Sequence, residues 1–205
     1  MLARDISMTK VGSAFGISIE VAAWDAAGAN VELSCAAMFI READGALITG
    51  GLAHLNAALD GHLLELREQG IFTAAAGECL LLPCPPGSIK AKSLLLVGMG
   101  DPADWSVNRL RDTVRAAAEF ALAIGAHSAA FAPGMLDSGI TPGATVGASA
   151  PMIDGLAAAL RARSKLVDLG LAGKPLLQRW VFDVGAARLS GAVEQFQEQL
   201  RQRAD

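Results

Sequence analysis

The apolar and polar positions of the chain alternate between two periods, and the switches between them mark out its elements. "ISIEVAA" (17–23) alternates with period two, as a half-buried strand does. "VELSCAAMFI" (31–40) is a second strand candidate, joined to the first by the turn-like "AAGAN". After a loop, "READGALITGG" (41–51), the leucines at 52, 55, 59, 63 and 66 recur at helical spacing. They predict a helix over 52–68 that Gly61 weakens without breaking. "ECLLLPCPPG" (78–87) is a short apolar run stopped by prolines, hence a strand ending at a turn, and "SLLLVG" (93–98) is the clearest strand of the chain. From Ser106 to Ile124 the pattern is helical, with Asp104 or Ser106 as cap and Val107, Leu110, Val114, Ala117, Ala118 and Ala121 on one side.

"HSAAFAP" (127–133) reads as another strand, and a Gly/Ser/Pro-rich connection follows it. This stretch, 134–151, is long for a compact domain and so is an ordered functional loop or a mobile one, its core being 134–150. A helix over 152–170 stops at Gly170, "PLLQRWVFDV" (175–184) is the last strand, and "RLSGAVEQFQEQLRQRAD" is an amphipathic closing helix. The first dozen residues are polar and irregular, and 1–14 are expected to be mobile. The resulting order, two strands, a helix, two strands, then helix–strand–helix–strand–helix, predicts an α/β protein with helices on both faces of a mixed sheet. Length and composition fit one domain over 1–205: 52% of the residues are hydrophobic, much of that excess being alanine.

Charge and cysteine content exclude several classes of function. A formal charge of −4 argues against a phosphate-backbone surface and so against nucleic acid as partner. The basic clusters Arg109, Arg111 and Arg115 and Arg161, Arg163 and Lys165 lie beside acidic residues on predicted helices and read as solvated faces. Cys35, Cys79 and Cys84 form neither a zinc spacing nor a C-x-x-C, and Cys35 and Cys79 sit in apolar runs where a buried reduced thiol is expected. With no apolar leader and no stretch long enough to span a bilayer, the reading is a cytoplasmic protein without a membrane partner.

Candidate chemistry starts at "SLLLVGMGDPADW" (93–105), where Gly98 to Ala103 fits the G-x-G-x-x-G/A dinucleotide fingerprint. Pro102, Asp104 and Trp105 delay the helix, however, and Asp101 places a carboxylate where a pyrophosphate would lie. "ITGGLAHLNAALDG" (48–61) matches an anion site better, because Gly50 and Gly51 lead straight into a helix; a tight entry into a core helix explains them equally well. His54 and His62 are eight apart, too far for an i, i+4 ligand pair, and His127 opens a strand, so no metal site is expected. "GASAP" (147–151) departs from the G-x-S-x-G elbow at Pro151, and Cys84 has no base beside it in the sequence. No catalytic residue and no cofactor follow from these patterns.

The central stretch, 55–125, resembles the N-terminal domain of the leucyl aminopeptidase family, peptidase family M17. Gly70, Phe72, Gly77 and Glu78 fall on its "L-x-x-G-x-F-x-G-x-x-G-E", Leu95 to Gly100 on its "L-L-x-V-G-x-G" strand end, and Arg109 to Gly125 on the long Ala/Arg-rich helix that follows. The resemblance runs from about 17 to 185. It implies a macro-domain-like fold, a three-layer α/β/α sandwich around a mixed central sheet. In that family the chemistry belongs to a separate two-metal domain bearing "N-T-D-A-E-G-R-L", a signature absent from these 205 residues. The expectation is therefore a stand-alone, non-catalytic relative with a binding, regulatory or assembly role, partnered by itself as a homo-oligomer or by an aminopeptidase-type protein. The alternative is a macro-like domain that binds or hydrolyses ADP-ribose or a nucleotide derivative. Gly50, Gly51, Gly98, Gly100 and Asp101 are then the candidate ligand-binding residues. The asparagine–glycine run typical of active macro domains is not recognisable.

Overall fold

In the computed structural model, which describes residues 8–41, 47–136 and 139–203, seven strands form one sheet. The strands are β1 (Met8–Ala14), β2 (Ile17–Ala22), β3 (Leu33–Met38), β4 (Cys79–Leu82), β5 (Ser93–Gly98), β6 (Ser128–Ala132) and β7 (Arg179–Asp183). The helices are α1 (Gly50–Ala58), α2 (His62–Glu68), α3 (Val107–Ala123), α4 (Ser149–Asp168) and α5 (Leu189–Arg201). The sheet runs β1-β2-β7-β6-β3-β5-β4. Its five inner strands are mutually parallel, and the outer strands β1 and β4 are antiparallel to their neighbours.

Parallel strands are covered on both faces, which explains why the inner strands read as unbroken apolar runs. All six residues of β3 are buried. Their alternate side chains serve two separate cores. Cys35, Val97, Phe131 and Trp180 pack toward α3, α4 and α5, while Met38, Leu96, Ala130 and Val181 pack toward α1 and α2. This is the expected three-layer α/β/α sandwich. Glycine sets the closeness of the two helices that share one layer: a Cβ at Gly155 of α4 would lie 2.3 Å from the Arg111 carbonyl oxygen of α3.

Two elements differ from the pattern reading. Met8–Ala14 forms an edge strand where an irregular segment is expected, and residues 1–7 lie outside the described residues. A two-residue turn makes the pairing possible: Phe15 and Gly16 both have positive φ, 52° and 80°, as a type I′ hairpin requires. The 52–68 helix is in fact two. Asp60 and Gly61 take left-handed φ of 54° and 89°, which ends α1 before α2 begins at His62. The register of leucines continues across the break because both pieces pack on the same core. Ser106 caps α3 as expected, accepting from the Arg109 N–H at 3.2 Å, and α4 starts at Ser149, inside the stretch read as loop.

Candidate functional site

β3 and β6 are neighbours, but their carboxyl ends send the chain to opposite faces, β3 to α1 and β6 to α4. Divergence of this kind opens a crevice above a parallel sheet, where α/β proteins bind ligands. Here it is a cleft of about 940 Å³. Ala23 to Asp25, Pro133 to Leu136 and Asp183 to Arg188, which directly follow β2, β6 and β7, supply its walls. Gly50 and Gly51 at the start of α1, Lys90, Thr145, Val146, Ala148 and Ser149 leading into α4, and the face of α5 that carries Ala192, Gln195 and Phe196 also line it. Small-molecule sites commonly enclose about 300–1,000 Å³.

The carboxylates of the cleft are engaged by the protein itself. Asp25 Oδ1 accepts the Gly28 N–H at 2.7 Å, and its Oδ2 shares a 2.5 Å hydrogen bond with His54 Nδ1. Asp183 Oδ1 accepts the Gly185 N–H at 3.0 Å. The cations are less engaged. Arg188 Nη1 donates to Thr145 Oγ1 at 3.2 Å, and neither Arg188 nor Lys90 has a carboxylate within ion-pair distance among the described residues. Ser149 is 5% exposed and its hydroxyl has no hydrogen-bond partner among those residues.

The five glycine and aspartate candidates separate in space. Gly50, at φ 52°, and Gly51 line the cleft; Gly98, Gly100 and Asp101 do not. Gly98 lies against the 74–78 segment, where its N–H donates to Glu78 O at 2.8 Å and an added Cβ would stand 2.0 Å from Ala75 O. Gly100, at φ 78°, donates to Ala74 O at 3.0 Å and accepts from the Ile40 N–H. Asp101 accepts the Ala103 N–H at 2.8 Å, capping the single turn Pro102–Asp104, and pairs with Arg41. The first of these contacts, then the second, holds its carboxyl below the ordinary aspartate range. Glu78, of the same motif, accepts from the Thr73 and Ala75 N–H groups and the Thr73 hydroxyl, fixing the segment that covers the β5 end.

Other candidates are scattered. His54, His62 and His127 pair separately with Asp25, Glu65 and Glu32, and the described residues contain no group of three or more His, Cys, Asp or Glu placed to hold a metal ion. Cys35 is buried, which pushes its thiol up, whereas Cys79 is exposed rather than buried, because β4 is the sheet's edge. Asp25, Lys90, Thr145 and Arg188 were invisible to spacing arguments, since they come from four distant segments. Their one sequence signal is position: Asp25 and Arg188 lie within a few residues of a strand's carboxyl end.

The model of the cytosol aminopeptidase family N-terminal domain matches residues 37–150, more than half of the chain. The chain belongs to this family. Proteins of known structure share its fold at low identity. A tomato leucine aminopeptidase mutant is 18% identical with a TM-score of 0.61, over 87% of this chain and 35% of its own, so the present domain spans about a third of that enzyme's chain. The Oceanobacillus iheyensis macrodomain with ADP is 15% identical with a TM-score of 0.64, over 96% and 97% of the two chains. The Trypanosoma brucei macrodomain in complex with ADP is 18% identical with a TM-score of 0.54, over 89% and 68%. The aminopeptidase N-terminal domain described here thus has the macrodomain architecture. No curated protein matches the sequence. No helix among the described residues is long and apolar enough to cross a membrane.

Proposed function

We propose that this aminopeptidase-type N-terminal domain is a non-catalytic binding module whose cleft takes an ADP-ribose-like nucleotide derivative. The observation that carries the proposal is the cleft itself: about 940 Å³ at the carboxyl ends of β2, β6 and β7, bordered by Gly50 and Gly51 at a helix entry. Two macrodomain neighbours whose structures hold ADP support the same ligand class. In this reading Gly50 and Gly51 face the ligand, while Gly98, Gly100 and Asp101 act at a distance by fixing the β5 end.

Isothermal titration with ADP-ribose tests this. Micromolar binding is expected, weakened at least about tenfold by Gly51→Val, because a branched side chain there occupies the cleft wall. Asp101→Asn is expected to bind as the wild type does. Absence of heat with ADP-ribose and with ADP would remove the proposal.

One observation favours a second reading, assembly with a copy of itself or an aminopeptidase-type partner. Leu166, Leu169 and Leu171 at the end of α4 and Leu176 before β7 are all exposed, and exposed leucines close together in the chain are a common mark of a contact surface.

A further inference from the structure

The sheet has two edges, and they are guarded differently. An edge strand offers a row of unpaired N–H and C=O groups to any other strand, and proteins blunt that hazard with bulges, charges and prolines. β1 carries two such devices, a register shift between Lys10 and Gly12 and the exposed Lys10 itself. β4 carries neither. Its residues, Cys79–Leu82, hold no charge and no proline, and they pair with β5 in unbroken register. Glu78, which precedes them, turns its carboxylate to the Thr73 and Ala75 N–H groups.

Pairing with β5 fixes which groups of β4 look outward. The Gly98 N–H donates to Glu78 O at 2.8 Å, and along an antiparallel ladder the hydrogen-bonded residues then alternate. Glu78, Leu80 and Leu82 therefore turn their main-chain groups to β5, while Cys79 and Leu81 present theirs to the open side. Those outward donors and acceptors are self-complementary. When a second β4 lies antiparallel about a twofold axis at Leu80, Cys79 of each copy comes opposite Leu81 of the other, and every one of these groups finds a partner. Leu80 then faces its own twin in the close, non-hydrogen-bonded position. That is an apolar cross-strand pair, and no like charges are opposed along the strand.

We infer that β4 is a pairing edge for a second copy of this chain, which joins two seven-stranded sheets into one across a twofold axis. The second copy is the occupant that the strand itself specifies, because it supplies the same residues in reverse order with an uncharged side chain opposite each uncharged one. A ladder this short makes a weak contact, half-associated at about 0.1–1 mM. β4 stands at the far end of the sheet from β2 and β7, whose carboxyl ends border the cleft, so pairing leaves both clefts open. It uses main-chain groups of a sheet edge and none of the exposed leucines near the end of α4, and so is independent of assembly through them.

Disulfide trapping in the full chain reads the register. With Cys79→Ser, Leu80→Cys and Cys84→Ser combined, mild oxidation at about 0.5 mM protein is expected to link most chains as dimers, since twins at the axis stand within the Cα span of a disulfide. Cys84→Ser alone, which keeps Cys79, is expected to stay unlinked: Cys79 faces Leu81, and its twin lies beyond the ~7 Å limit. Replacing Cys79→Ser by Cys79→Lys in the first variant, which copies the device on β1, is expected to cut the linked fraction at least about fivefold. Linking at position 80 is expected unchanged in the Leu169→Asp, Leu171→Asp background. In the wild type, hydrogen exchange of the Cys79 and Leu81 amides should slow several-fold between about 10 µM and about 1 mM, which needs no substitution to fold. Absence of linking at position 80, or linking through Cys79 as readily, overturns the proposal. Exchange of both amides at one rate throughout overturns it too, and would give the edge to an extended segment of another protein.

Discussion

At Gly98 the end of β5 packs directly on the 74–78 segment. Its missing side chain lets the β5 end lie against Ala74 and Ala75, and the neighbour a Cβ would strike is a backbone oxygen, which has no rotamer to move to. Gly98→Ala is therefore expected to destabilise the domain by about 1–3 kcal/mol, read from the urea midpoint at unchanged slope. A second residue-scale effect is electrostatic. Glu32 accepts from Lys92 Nζ and from the His127 N–H, both at 2.7 Å, and these contacts hold its carboxyl down to about 2 from 4.5. A depressed carboxyl stabilises the fold above its unfolded value and loses that contribution as the pH falls to the folded one. Stability should therefore drop between about pH 4.5 and pH 2, and Glu32→Gln should flatten that drop while lowering stability at pH 7. Denaturation midpoints measured across the range check it.

At the scale of elements, α3 and α4 approach closely within one layer. Gly155 allows the α3 backbone at Arg111 to approach, and the same α4 presents its amino end to the cleft. Gly155→Leu must push the two helices apart, so a loss of about 2–3 kcal/mol is expected from overpacking. Because the same helix carries Ser149 on the cleft wall, the displacement should also weaken ligand binding; titration of the variant below its melting temperature separates the two effects. The split between α1 and α2 belongs to this scale as well. Leucine spacing is blind to it, since Asp60 adopts a left-handed φ that its residue type permits and does not require.

For the whole molecule, the sheet order places the cleft and the leucine-bearing α4 end on opposite sides, since α4 runs from the carboxyl end of β6 to the amino end of β7. Ligand binding and assembly are therefore separable. If assembly operates, sedimentation velocity should show a concentration-dependent larger species that Leu169→Asp with Leu171→Asp abolishes, while ADP-ribose binding stays intact. A monomer at every concentration would remove the assembly reading.

Hydropathy periods by themselves determined the strands at 17–22, 93–98 and 128–132, the helix 107–123, and with them the α/β class, because burial on one or both faces imposes its period on the residues directly. The M17 resemblance supplied the layered architecture, and Gly50 and Gly51 were legible as a helix entry. The N-terminal strand was not, since an edge strand half-open to water carries a weak alternation and depends on the Phe15–Gly16 turn. Only the tertiary structure decided where the cleft lies. It draws residues near 25, 50, 90, 145 and 188 together, and sheet order, which no local period encodes, brings them into contact. Packing against Ala74 and Ala75 likewise turned the glycine fingerprint at 98–100 into a close backbone contact, because glycine serves tight packing and ligand approach through the same absent side chain.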